Sequence, residues 1–133
     1  KCLVDFGAGI GTLTEIIKNK TGIVPICIEI DKTNKKILFE RGFKHFENLS
    51  DVKGEVDIVF SSNVLEHIKD DKKVIRDIYK KLKIDGVIFL YLPAKKSLWT
   101  SLDFKVGHYR RYEKSDLINK LQSCGFLVEK CHF

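Results

Sequence analysis

Apolar positions in this chain fall into short solid runs separated by amphipathic stretches. Cys2-Leu3-Val4-Asp5-Phe6 is a β-rich run that stops at the glycine cluster Gly7 to Gly11. Leu13, Ile16 and Ile17 follow at i, i+3 and i+4, which predicts a helix from Thr12 to Lys20 closed by Gly22. Ile23 to Ile30 reads as a second strand, with Pro25 near its start, where a strand tolerates proline. Asp31 to Arg41 reads as a helix with Ile37 and Leu38 inward and Gly42 as its stop. A brief strand from Phe43 to Phe46 precedes the solid run Val56 to Ser62. Asp70 to Leu82 carries Val74, Ile75, Ile78, Tyr79 and Leu82 on one face, acids first and lysines last, an order that suits the helix dipole. Asp85-Gly86 predicts a turn into a strand from Val87 to Leu92. From Pro93 to Tyr112 the pattern is irregular, and a short helix with Leu117, Ile118 and Leu121 then ends near Gly125. Phe126, Val128 and Cys131 lend the last segment, Phe126 to Phe133, the look of a half-exposed strand.

Strand and helix in alternation mean βαβ units. The expected fold is α/β: a three-layer, doubly wound, mainly parallel Rossmann-like sheet forming a single domain over residues 1–133. Composition agrees, since 133 residues with 44% hydrophobic and 32% charged side chains can fold around a core. No apolar run reaches the roughly 18 residues that a membrane span requires. The chain contains no methionine, so Lys1 is not expected to be a translation start and elements are expected to be missing at both ends. Cys2, Cys27, Cys124 and Cys131 form no CxxC pair and no Cys/His ligand spacing. They read as free thiols in a reducing, cytoplasmic compartment, with no metal site expected. The net charge of +6 is spread over lysine-bearing helix faces, which reads as solvation rather than as a nucleic-acid surface.

In an open parallel sheet, ligands bind beyond the carboxyl ends of the strands, so the first strand–helix turn is where chemistry is expected. Gly7, Gly9 and Gly11 alternate there, letting the backbone approach a ligand at a helix start. The third glycine of the dinucleotide fingerprint is replaced by Thr12, and no Walker-type GKS or GKT occurs. Asp5 precedes the loop and is a poor neighbour for a pyrophosphate, but a good one for a cationic ligand. S-adenosylmethionine, with its ammonium, sulfonium and carboxylate and no phosphate, meets that demand. At the end of the second strand, Glu29 can accept ribose hydroxyls; alternatively it is a helix-start acid, with Asp31 as helix cap or as ligand.

These residues resemble the class I S-adenosylmethionine-dependent methyltransferases over nearly the whole chain. LVDFGAGIGTLTE is similar to that family's first motif and IEID to its second; VDIVFSSNVLEHIKDD and LKIDGVIFLYLPA are similar to its fourth- and fifth-strand segments. The resemblance implies that Asp5, Gly7, Ala8, Gly9 and Gly11 line the methionine half of the cofactor. It places Glu29 on the ribose, Ile30, Asn48 and Leu49 around the adenine, and Asn63 at the methyl-donor end. The family's N-terminal helix and last, antiparallel strand are not in this sequence. Trp99 to Asp103 and Gly107-His108-Tyr109-Arg110-Arg111-Tyr112 resemble a W…D…GH-x-RRY stretch of a small-molecule branch of the family. From it follow His108 as a base for a hydroxyl nucleophile and Trp99, Tyr109, Arg110 and Arg111 as acceptor contacts; Glu66 and His67 are the LEH of the family pattern, and His67 either touches the acceptor or caps and packs locally. On the other reading, the tyrosines pack the loop down and the arginines pair with acids such as Asp103. The expected activity is methyl transfer to a small-molecule acceptor, with S-adenosylhomocysteine as product. A non-catalytic binding or scaffold domain and a nicotinamide-dependent oxidoreductase are the rivals. No Asn-Pro-Pro-Tyr-like tetrad for base methylation follows the fourth strand, which leads into Ser61-Ser62-Asn63-Val64.

Overall fold

The structure is a computed structural model that describes all residues from Lys1 to Phe133. In chain order the elements are β1 (Leu3–Phe6), α1 (Thr12–Thr21), β2 (Ile26–Ile28), α2 (Lys32–Glu40), β3 (His45–Phe46), β4 (Val56–Ser62), α3 (Asp71–Lys81), β5 (Leu82–Tyr91), α4 (Ser101–Lys105) and α5 (Lys114–Ser123). Short 3₁₀ turns occupy Leu49–Asp51, Leu65–His67 and Lys96–Leu98. By internal contacts the chain forms two compact units, residues 1–62 with 80–90, and residues 63–79 with 91–133.

The first unit is built on a five-stranded sheet in the order β3-β2-β1-β4-β5. β1 runs parallel to both β2 and β4, with Val4 opposite Ile26 and Val59, and β2 runs parallel to β3. This is the expected α/β Rossmann-like arrangement. Val4, Cys27, Val56 and Val59 are fully buried, which is why these strands read as solid apolar runs rather than alternating ones. Leu38 of α2 and Phe43 close the core over Cys27 and Ala8. The side chain of Asp31 caps α2 by accepting from the Asn34 amide at 2.9 Å.

Two expectations for this unit change. Leu13 and Ile16 remain 38% and 45% exposed, and the fully buried side chain of α1 is Thr14. The helix is turned so that the Thr14 hydroxyl reaches the Asp5 carboxylate, a bond that a buried acid needs more than the core needs another leucine. Asp85-Gly86 does not open a separate strand either; both lie inside β5, where Asp85 takes a left-handed φ of 63° that aspartate tolerates.

In the second unit, Ile75 and Ile78 give α3 its buried face, and Leu121 and Cys124 are buried in and just after α5. The irregular stretch contains α4, whose Thr100 and Asp103 form a reciprocal capping box. A parallel bridge joins Ala94 to Tyr112. Residues 126–133 form no strand. The alternation is real in exposure, with Leu127 outward between half-buried Phe126 and Val128, and Phe126 stacks edge-on against Tyr79 at 5.1 Å. Alternation reports which side faces protein; it does not supply a ladder partner. All four cysteines are free, and no helix is long and apolar enough to cross a membrane.

Gly11 sets a packing limit on the glycine loop. A β-carbon there would lie 2.8 Å from Leu38 Cδ2 and 3.0 Å from the Phe43 ring, at a φ of +83°, whereas at Gly9 it would meet nothing within 4 Å. Gly11→Ala is therefore expected to destabilise the chain by roughly 2–3 kcal/mol in urea unfolding, from overpacking plus backbone strain. Gly9→Ala carries the left-handed backbone cost alone, about 1–2 kcal/mol. Equal losses for the two would show that Leu38 and Phe43 move aside freely.

Candidate functional site

The carboxyl ends of β1 and β2 meet at the glycine loop. Gly7 and Ala8 donate their amides to the Ile28 carbonyl, at 2.8 and 3.1 Å, and Gly11 donates to Ala8 at 2.9 Å. The Gly9 amide donates to Glu29 Oε2 at 2.7 Å. Four loop amides are thus donated within the protein, and the loop does not form a bare anion cradle. What it surrounds is acid. Glu29 is buried, and its other oxygen accepts from the amides of Ile30 and Asp31 at 2.8 and 2.9 Å. Asp5, also buried, accepts from Thr14 Oγ1 at 2.6 Å. Burial raises the Asp5 carboxyl above its ordinary value; the Thr14 bond opposes this and the nearby Glu29 charge adds to it. Thr14 also contacts Cys27 Sγ at 3.4 Å, and burial pushes that thiol up to about 11.

Around these acids, Ile30 stands 78% exposed, an apolar platform next to Glu29. Asn48 is exposed and donates to Asp51 at 3.4 Å, while Leu49 turns its side chain into the core. Two acids, an apolar platform and an open face above Gly9 match a ligand with positive charge, vicinal hydroxyls and a flat ring. A pyrophosphate is a poorer match, because the Asp5 charge at the end of β1 would repel it.

The second unit carries a separate polar constellation. Asp103, at the start of α4, is buried and takes two bonds from Arg111, Nε at 2.8 Å and Nη2 at 3.0 Å, with a third from the Thr100 amide at 2.8 Å. His108 Nδ1 lies 2.8 Å from the same carboxylate. The Arg111 bonds hold the Asp103 carboxyl well below its ordinary range against burial, and Thr100 and His108 add to that. Asp71 accepts from Tyr112 at 2.7 Å and Lys120 at 2.5 Å, with Arg110 at 3.3 Å. Burial would raise the Asp71 carboxyl, but Lys120, Tyr112 and Arg110 hold it below its usual value. Arg110 also donates to the carbonyls of Ile68 at 2.6 Å and Lys69 at 2.7 Å.

A family model described as a methyltransferase domain matches residues 1–130. The chain belongs to this methyltransferase family. S-adenosylmethionine is the cofactor that goes with such a domain, and the acids and open face at the glycine loop fit it. No curated protein matches the sequence. Solved structures do match in fold. A SAM-dependent methyltransferase from Archaeoglobus fulgidus is 23% identical, with a TM-score of 0.80 over 96% of this chain and 61% of that one. Phosphoethanolamine N-methyltransferase 2 from Haemonchus contortus, in complex with S-adenosyl-L-methionine, is 20% identical with a TM-score of 0.80, over 96% of this chain and 33% of the other. A SAM-dependent methyltransferase from Thermotoga maritima, a possible histamine N-methyltransferase, is also 20% identical at a TM-score of 0.80, covering 96% and 64%. The chain thus spans between one third and just under two thirds of the length of these three proteins.

Within this methyltransferase domain, the structure gathers Asp5, Gly7, Ala8, Gly9, Gly11, Glu29 and Ile30 at one loop. Asp31, an alternative ligand on the sequence, is occupied as the α2 cap. Asn63 follows β4 in a left-handed conformation, φ 53°, and its amide donates to the Tyr91 carbonyl at 2.9 Å. Of the two readings of Arg110 and Arg111, the pairing with acids such as Asp103 is the one seen: they engage backbone carbonyls, Asp71 and Asp103, because buried acids need cationic partners. Trp99 and Tyr109 keep substantial exposed surface, and His67 is exposed. Sequence reasoning missed Thr14, Asp71 and the organising role of Asp103. Glu66, read only as part of the LEH pattern, is fully buried in the turn after β4.

Asp5 yields a pH test. A carboxyl whose folded value is raised contributes stability that is complete below its unfolded value of 3.8 and is lost as pH rises through the folded one. Asp5→Asn keeps an acceptor for Thr14 and removes the buried charge. Its melting temperature is expected to exceed that of the parent at pH 8, with the gap closing towards pH 3.5. A variant less stable than the parent at pH 8 would mean that the fold depends on the charge.

Proposed function

We propose that this domain transfers a methyl group from S-adenosylmethionine to a small-molecule acceptor in the cytoplasm. The observation that carries this reading is Glu29, buried at the mouth of the glycine loop with both oxygens turned to backbone amides and an open face beside it. When bound, the cofactor supplies an electrophilic methyl group on a sulfonium. Glu29 has roughly four lone-pair sites and uses three on Gly9, Ile30 and Asp31, so one is free for a ribose hydroxyl, and a second hydroxyl competes with the Gly9 amide. Asp5 contributes negative potential for the ammonium and sulfonium, and ionising it becomes easier beside a cation. Ile30 offers its exposed face to the adenine, with Asn48 as the contact for the amine; Asn63 is the residue that the family resemblance assigns to the methyl-donor end.

His108 is the candidate base for a hydroxyl acceptor. Asp103 holds its Nδ1, which leaves Nε2 to accept a proton. Methyl transfer from a sulfonium gains most from alignment, so this residue assists the reaction and does not define it. A small acceptor is favoured by the spread of the positive charge and by the absence of a base-methylation tetrad. Neighbours of this fold whose names specify small amines agree with it. Free thiols throughout suit a reducing compartment.

Calorimetric titration of S-adenosylmethionine and S-adenosylhomocysteine into the chain tests the reading. Saturable binding of both is expected, with Glu29→Gln weakening each at least tenfold, since a neutral amide accepts hydroxyl bonds less strongly. Heat that is unchanged by Glu29→Gln, or NADH binding in place of either ligand, would overturn it. Binding without turnover across a panel of hydroxyl and amine acceptors would favour a non-catalytic binding domain.

A further inference from the structure

Glu66 has a property that the methyl-transfer reading does not use. Its side chain is fully buried, and neither carboxylate oxygen has a hydrogen-bond partner. Native structures rarely leave a buried acid in that condition; where they do, an ion or ordered water normally belongs beside it. Two imidazoles face it. One donor atom each from Glu66, His67 and His108 lie within 4.8 Å of one another. His108 Nε2 is 3.9 Å from Glu66 Oε1, too long for a hydrogen bond, and the His67 and His108 rings meet edge to face at 4.6 Å.

The group that orients His108 is already in place. Asp103, held by Arg111 and Thr100, lies 2.8 Å from His108 Nδ1. An ionised carboxylate can only accept, so Nδ1 carries the proton and, in the neutral ring, Nε2 has its lone pair on the side of Glu66. The Tyr109 amide donates to the Glu66 carbonyl at 2.7 Å and so ties the two ligand-bearing segments together.

We propose that Glu66, His67 and His108 form a site for one divalent transition-metal ion, with Asp103 as a positioning residue. Two imidazole nitrogens and one carboxylate suit Zn²⁺, Co²⁺ or Mn²⁺, whereas Mg²⁺ and Ca²⁺ favour all-oxygen shells. Ligand bonds of about 2.0–2.2 Å put donors of one ion roughly 3–4 Å apart. Donor atoms within 4.8 Å of one another must close by about an ångström to meet that spacing, and the His67 ring is exposed. Three protein ligands leave at least one position for water or another oxygen ligand, whose proton the ion would make more acidic.

The test is titration of Zn²⁺ and Co²⁺ into the intact, chelator-treated chain, read by calorimetry and by the visible spectrum of Co²⁺. One ion per chain is expected, with ligand-field bands and no thiolate charge-transfer band. His67→Ala and His108→Ala should each weaken binding by more than about tenfold, and Glu66→Gln likewise. Asp103→Asn should weaken it less and abolish the fixed Nδ1–H tautomer of His108 in its ¹⁵N shifts. His67 is exposed, so its variant keeps the test valid if Glu66→Gln fails to fold. No saturable binding, undiminished affinity in His67→Ala and His108→Ala, or a thiolate band would overturn the site. Metal binding is read without methyl donor or acceptor, so its failure leaves the methyltransferase reading untouched; its success takes the Nε2 lone pair of His108 and excludes only that residue as the base.

Discussion

One carboxylate organises the glycine loop of this domain. Glu29 takes amides from Gly9, Ile30 and Asp31, and so fastens the loop after β1, the end of β2 and the entry to α2 at a single point. The parallel register makes this possible: Phe6 lies opposite Ile28, which brings the residues after each strand level with one another. Asp5 sits one strand over with its own partner in Thr14. Asp5 places a buried acid beside the loop where nucleotide-binding α/β folds usually present amides to phosphate. Ligand choice follows from that inversion of sign more than from the spacing of the glycines.

The second unit solves a related problem in the opposite way. Asp71 and Asp103 are buried and fully paired, and their partners are the cations that the sequence displays most prominently. Arg111 forms a two-pronged bond to Asp103, and Arg110 holds three backbone carbonyls along with Asp71. The segment from Gly107 to Tyr112 is therefore a braced strap. His108 is the member of that strap left with a nitrogen to offer.

Much of the fold was legible because burial on both faces leaves solid apolar runs, as in Val56–Ser62, and because Asp31, Gly22 and Gly42 punctuate helices by plain stereochemistry. The facing of α1 was not legible. Leu13 and Ile16 have helical spacing, but the requirement to satisfy Asp5 turns Thr14 inward, and periodicity carries no record of a buried hydrogen bond. Phe126 to Phe133 misled for a similar reason, since exposure alternates there without a partner strand. At the candidate site, Glu29 and the glycines stand out because their backbone chemistry is local. Asp71 and the approach of His108 to Glu66 do not, because their meaning depends on contacts between segments far apart in the chain.

The glycines of the loop obey different masters. Gly9 faces open space, so only its backbone conformation and whatever ligand approaches constrain it, while Gly11 is wedged under Leu38 and Phe43. A descendant released from its cofactor could drift at the first position and would still be held at the second by its own core. Part of what reads as a cofactor-binding signature is thus a folding signature, and a degenerate copy that keeps only the later glycine records a shared ancestry of shape after the chemistry has gone.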